Sequence, residues 1–278
     1  MTFSNIMVHL DLEGPNDPCL RVALHLADTF EAKLIGIAAA VAEPSYYRGE
    51  AFDYRGEAFD EGSLKQLCSD ITKRSAQVED RFRSISSPRT IEWRSAIAPP
   101  AEYVSREARA ADLLVIGAQR GGSISDLAGS LDPGDLVMQV GRPVLVVPPQ
   151  VKSLELKLAM VCWKDTREAR RAGSDALPLL QKTQEVVVVE VIPDESSRDA
   201  AHARVDDVIS WLKRHGIGAF ARVFHCPERE DPMEKLLQYG ADIIVAGAYG
   251  HTRLREWVFG GFTRDLLQRS PLCTFLVH

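Results

Sequence analysis

Two glycine clusters flank nine residues in the last part of the chain. Gly247-Ala248-Tyr249-Gly250 is followed by HTRLREWVF and then by Gly260-Gly261-Phe262-Thr263. Glycine at 247 and 250 accepts positive φ and lets backbone approach a ligand with no Cβ in the way. Gly260 and Gly261 fall at a predicted helix N-terminus, where free N–H groups and the helix dipole favour a phosphate. Thr263 adds a hydroxyl within the first helical turn. The preceding run, ADIIVA, reads as a buried strand, the context a phosphate cradle needs. Tight strand-to-helix turning with Thr263 as N-cap accounts for one or two glycines. It leaves four glycines in two clusters unexplained.

A near copy lies 130 residues earlier: ADLLVIGAQRGG (111–122) aligns with ADIIVAGAYGHT (241–252). The copy has lost the phosphate chemistry. Arg120 replaces the second motif glycine, and Asp132 followed by Pro133 stands where the later stretch has Thr263. A carboxylate repels a phosphate, and proline has no N–H to offer. Arg120 could offset this by pairing with phosphate or with Asp132. The sequence therefore predicts one nucleotide loop, in the second half, and a first half kept for structure or interaction.

The elements around these loops repeat as well. In the first half the pattern predicts strands near 5–10, 33–40 and 90–95 and helices near 17–30, 63–85 and 100–110. The second half predicts strands at 157–163, 185–191 and 218–224 and helices at 167–181, 198–215 and 231–239. Each half closes with the ADLL or ADII strand, a helical stretch and an apolar strand after proline, RPVLVVPP or SPLCTFLVH. Continuous apolar runs such as EVVVVEVI suit strands buried on both faces of a parallel sheet. Their alternation with helices predicts two tandem doubly wound α/β domains, each with a five-stranded parallel sheet. The domains are set at 1–150 and 151–278, with the linker near 149–156. Residues 43–62 carry a tandem heptad, YRGEAFD at 47–53 and again at 54–60. It reads as a duplication in a loop, with a lid or a partner-docking arm as the alternative.

Gly-x-x-Gly, nine residues, then glycine resembles the nucleotide-binding pattern of the ATP-binding universal stress proteins, and the likeness spans both halves. The resemblance implies strand order 3-2-1-4-5, an adenine nucleotide as ligand, and dimer-like packing of the halves through their last strands. It also implies ATP, with Mg2+ bound through the phosphates. The hydroxyl residue that follows the last motif glycine in that family is Gly261 here, which implies weaker binding. Thr263 matches a phosphate-contacting hydroxyl. Strands one and four then lie side by side at the point of strand reversal, where open α/β sheets bind ligands. The first strand of the second half ends in Trp163, Lys164 and Asp165 beside the glycine loop. By resemblance Asp165 matches an acid near the adenosine. It could equally cap the helix near Arg167, and the two roles are compatible. Trp163 covers the adenine or joins the core, and Lys164 approaches phosphate or faces water. Val191 matches the position whose backbone meets the adenine edge.

Composition limits the function classes. Of 278 residues, 45% are hydrophobic and 26% charged, with net charge −6 and no basic stripe, which argues against nucleic acid. No apolar run approaches a membrane span, and MTFSNIMVHLDL lacks the features of a signal peptide. Five scattered cysteines form no C-x-x-C pair, the pattern of a cytoplasmic protein with reduced thiols. No Walker loop, H-E-x-x-H or G-x-S-x-G is present. The residues supply binding without a positioned base. A nucleotide-dependent regulatory protein with an unidentified protein partner is the leading reading. Slow ATP hydrolysis and a nucleotide-free scaffold are the alternatives, and homodimer formation stays open.

Overall fold

The computed structural model describes residues 2–42, 61–85, 90–118, 131–227, 231–249 and 262–278. The heptad duplication lies outside them. The first half runs β1 (Asn5–His9), α1 (Asp17–Phe30), β2 (Lys33–Ala40), α2 (Glu61–Ile85) and β3 (Ile91–Ile97). It continues with α3 (Pro100–Glu107), β4 (Leu113–Gly117), α4 (Pro133–Val140) and β5 (Val144–Val147). The second half runs β6 (Leu158–Trp163), α5 (Arg167–Asp175), α6 (Leu177–Leu180), β7 (Glu185–Ile192) and α7 (Arg198–Arg214). Then come β8 (Ala219–His225), α8 (Pro232–Leu237), β9 (Ile243–Gly247), α9 (Phe262–Arg269) and β10 (Cys273–Val277). A single helix was predicted over 167–181, but α5 ends at Asp175 and α6 is separate. Pro178 has no N–H to return to the preceding turn.

One ten-stranded sheet carries both halves, in the order β3-β2-β1-β4-β5-β10-β9-β6-β7-β8. Within each half every pairing is parallel. The halves meet where β5 and β10 pair antiparallel, with Phe275 opposite Leu145. Both strands are buried along their whole length. Left apart, each would present an apolar edge of unpaired N–H and C=O groups, so pairing them removes two liabilities at once.

Helices cover both faces of the sheet. On one side α1, α5 and α7 pack over a single apolar cluster that crosses the junction and includes Leu20, Phe275, Ala172 and Val205. On the other, α3, α4 and α9 cover Met7, Leu114, Ile244 and Leu276. Full burial of a side chain such as Phe275, at 0% exposure, contributes about 2 kcal/mol.

The aspartate of the repeated Ala-Asp pair has the same use twice. Asp112 accepts the backbone N–H groups of Ser4 and Asn5 at 2.8 and 2.9 Å. Asp242 accepts those of Lys157 and Leu158 at 2.7 and 2.9 Å. Each carboxylate thereby ties the start of its half's first strand to the strand beside it.

Candidate functional site

In each half the first and fourth strands are neighbours, β1 with β4 and β6 with β9. Their chains leave in different directions, which opens a crevice at the carboxyl ends. Of the predicted ligands, Gly250, Gly260 and Gly261 lie outside the described residues, as does Arg120. The others can be placed one by one.

Gly247 ends β9 with its α-carbon against the first turn of α5. A Cβ there would lie 2.5 Å from the Ala169 nitrogen and from the Glu168 carbonyl carbon. Close packing thus already demands this glycine, a use the sequence reading did not foresee. Glu168 itself is 2% exposed, and its Oε2 has no hydrogen-bond partner among the described residues. Burial pushes its carboxyl up, but its own N–H, the Thr166 hydroxyl and Arg167 together hold it below the usual range.

The next peptide is fixed from both sides. Ala248 donates its N–H to the Val277 carbonyl at 2.8 Å, and its own carbonyl lies 3.1 Å from His278 Nδ1. Tyr249 follows with φ of 52°, in the left-handed region. Its N–H points to Thr263 Oγ1 at a long 3.5 Å, which brings the two ends of the glycine loop together. Thr263 is buried, at 4% exposure, in the first turn of α9. The ring of Tyr249 leaves the crevice and crosses to the first half. A Cβ on Gly134, in α4, would lie 2.5 Å from the Tyr249 hydroxyl.

Trp163 ends β6 and is half-buried against the core on the α5 side, with Gly173 beside its ring. Its indole N–H is buried without a partner among the described residues. Lys164 and Asp165 are exposed. Asp165 pairs with Arg170 at 2.9 Å and does not cap α5. The cap is Thr166, whose extended backbone lets its hydroxyl accept the Ala169 N–H at 3.3 Å. Val191 is half-buried near the end of β7, paired with Phe224. The sequence reading missed Glu190, opposite Trp163 in the register and 7% exposed, which pairs with Arg204 of α7. Its one signal was a lone acid inside a run of valines.

The register also aligns the two crevices. Val8 faces Val115 as Val161 faces Val245. His9 therefore corresponds to Cys162, Leu10 to Trp163 and Asp11 to Lys164. Burial lowers the His9 imidazole to about 4, against an opposing pull from Asp11, and its Nε2 has no partner among the described residues. Burial likewise raises Cys162 to about 12, so both positions are neutral near pH 7. Asp11 is turned into its own loop, where it accepts the Glu13 N–H at 2.8 Å. At the far side of the first crevice Asp132 caps α4 by accepting the Asp135 N–H at 2.9 Å, with Pro133 next. Among the described residues no group of three or more metal-ligating side chains gathers, and none of the five cysteines is in a disulfide.

A universal stress protein structure from Archaeoglobus fulgidus superposes over 98% of this chain and 95% of its own, with TM-score 0.69 and 15% identity. The fold is that of the universal stress proteins, present twice. A functionally unknown protein from Pseudomonas aeruginosa gives TM-score 0.59 at 12% identity, covering 99% of this chain and 92% of its own. No protein-family model matches the chain, and no curated protein matches it. At such identities the universal stress protein likeness speaks for the backbone and leaves the crevice to be argued from its own residues. No helix among the described residues is long and apolar enough to cross a membrane.

Proposed function

We propose that the second half binds an adenine nucleotide, ATP with magnesium carried on its phosphates, and that the protein acts as a nucleotide-dependent regulator in the cytoplasm. The observation that carries this reading is the contrast between the two helix N-termini at the crevices. The first turn of α4 is occupied by the Asp132 carboxylate, which takes a backbone N–H that a phosphate would need. In α9 the first turn carries Thr263 instead, a hydroxyl in place of a carboxylate, whose oxygen faces the Tyr249 N–H.

The described residues fit such a ligand at its phosphate end. Lys164 stands exposed at the carboxyl end of β6, a cation where the first half has Asp11. Gly250, Gly260 and Gly261 would add backbone donors, Tyr249 would set the loop's backbone, and Trp163, Asp165 and Val191 would line the adenosine side. The nucleotide supplies charge and binding energy, while the chain supplies orientation. The working division is a nucleotide-binding unit at 151–278 and a unit at 1–150 that meets a protein partner.

The test is to denature the purified protein and count the adenine nucleotide released. About one per chain supports the reading, and two per chain would refute the loss in the first half. None released, with no thermal shift on adding ATP and magnesium, would leave a nucleotide-free scaffold.

A further inference from the structure

We infer that Tyr249 couples the second half's nucleotide loop to the first half, with the N-terminus of α4 as receiver. The inference rests on the proposed nucleotide site, and it concerns how occupancy there would reach the rest of the molecule. Three features meet at this residue. Its backbone sits in the left-handed region at φ 52°, which a bulky residue keeps only when its surroundings impose it. The peptide before it is held by the Val277 carbonyl and the His278 ring, and its own N–H faces Thr263 across the loop. Its hydroxyl rests on Gly134 of α4, where only a missing Cβ leaves room.

A phosphate drawn to Thr263 competes with the long contact from the Tyr249 N–H. With Ala248 anchored, a turn of the backbone at Tyr249 would swing the ring tip across α4. The receiving turn is the one that holds Asp132, Pro133 and Gly134, together the changed end of the first half's loop. Asp132, Gly134, Tyr249, Arg264 and Gln268 line one small cleft between the halves. The residues that remove phosphate chemistry from the first half thus form the surface that Tyr249 touches.

Gly134→Ala is the perturbation of choice. The added methyl meets the far end of a side chain and not backbone, so it displaces Tyr249 at little cost to the fold. Binding of ATP with magnesium is measured on the full chain, on Gly134→Ala, on Tyr249→Ala and on the double variant, with hydrogen exchange read over 133–140. Gly134→Ala is expected to weaken ATP about tenfold, within the usual range of coupling between sites. In the Tyr249→Ala background it should have no further effect. ATP should alter exchange over 133–140 in the wild type and not in Tyr249→Ala. An equal loss from Gly134→Ala in both backgrounds, or no loss in either, overturns the coupling. If Gly134→Ala does not fold, ATP-dependent exchange in Tyr249→Phe against wild type decides the matter: a reduced response supports the coupling and an unchanged one overturns it. If the wild type binds no ATP, the functional reading fails by itself. The coupling is then read without nucleotide: Gly134→Ala should change exchange over 243–249 and 262–269 only when Tyr249 is present, and no change overturns it.

Discussion

The two crevices share a backbone and differ in chemistry. In the first, β1 ends in His9, Leu10 and Asp11 follow, and α4 begins with its own Asp132 as cap. In the second, β6 runs through Cys162 and Trp163 to Lys164, Glu190 stands where the first half has Ala38, and α9 begins at Phe262 with Thr263 next. The first crevice holds a neutral imidazole and two carboxylates, Asp11 and Asp132, that accept N–H groups of their own loops. The second holds a buried carboxylate, an indole N–H with no partner among the described residues, and an exposed cation. One fold therefore carries two crevices of different chemistry, because side chains at a strand's carboxyl end change chemistry without changing the sheet.

Each of these differences can be put to measurement, and the largest effect should come from His9. Its folded value of about 4 lies below the ordinary 6.5, so an unfolded chain takes up a proton that the folded one refuses. Its contribution is complete above pH 6.5 and is lost as the pH falls through 4, in all about 3 kcal/mol. Urea unfolding at pH 7 and pH 4 should show that pH dependence reduced in His9→Cys, which installs the second half's residue. An unchanged dependence would show that His9 is not held neutral.

Gly247 and Gly117 come next. Gly247→Ala forces a methyl into the backbone of α5 and should cost about 2 kcal/mol. Among the described residues Gly117→Ala meets Cys19 Sγ alone, at an ordinary 3.5 Å, and should stay within about 0.5 kcal/mol. Equal melting temperatures for the two variants would remove the packing account of Gly247. Asp132→Ala deletes a side-chain cap and should cost about 1 kcal/mol in denaturant unfolding. It should also leave nucleotide stoichiometry at one, because Pro133 still offers no N–H. Asp165→Ala should change stability least, by about 0.5 kcal/mol or less, since its pair with Arg170 is more than half exposed on both sides. Its ATP affinity, read by calorimetry, decides whether Asp165 serves adenosine or only Arg170.

Much of this was legible before any coordinates. The strand EVVVVEVI and the helix near 17–30 show in the periodicity of their own residues, because burial on one or both faces writes a local pattern. The contrast between Asp132 and Thr263 was read as a difference between aligned positions, but Asp132 caps α4 from outside the helix whereas Thr263 lies inside the first turn of α9. The cap of α5 was not. Asp165 and Thr166 are both good N-caps by type, and only the extended backbone at Thr166 decides between them. The repeated Ala-Asp pair looked like part of a motif, but its carboxylates reach over more than 80 residues to tie down the first strand of each half.

Read alone, the residues show the repeat, the alternation of strands and helices, and the loop differences, Arg120 and Asp132 in one copy against Gly250 and Thr263 in the other. Three-dimensional packing was needed to join the halves into one sheet through β5 and β10, to set α5 against Gly247, and to turn Tyr249 away from its own crevice toward Gly134. The reason is physical. Periodicity records how much of a residue is buried, whereas the partner that buries it is chosen by packing between segments far apart in the chain.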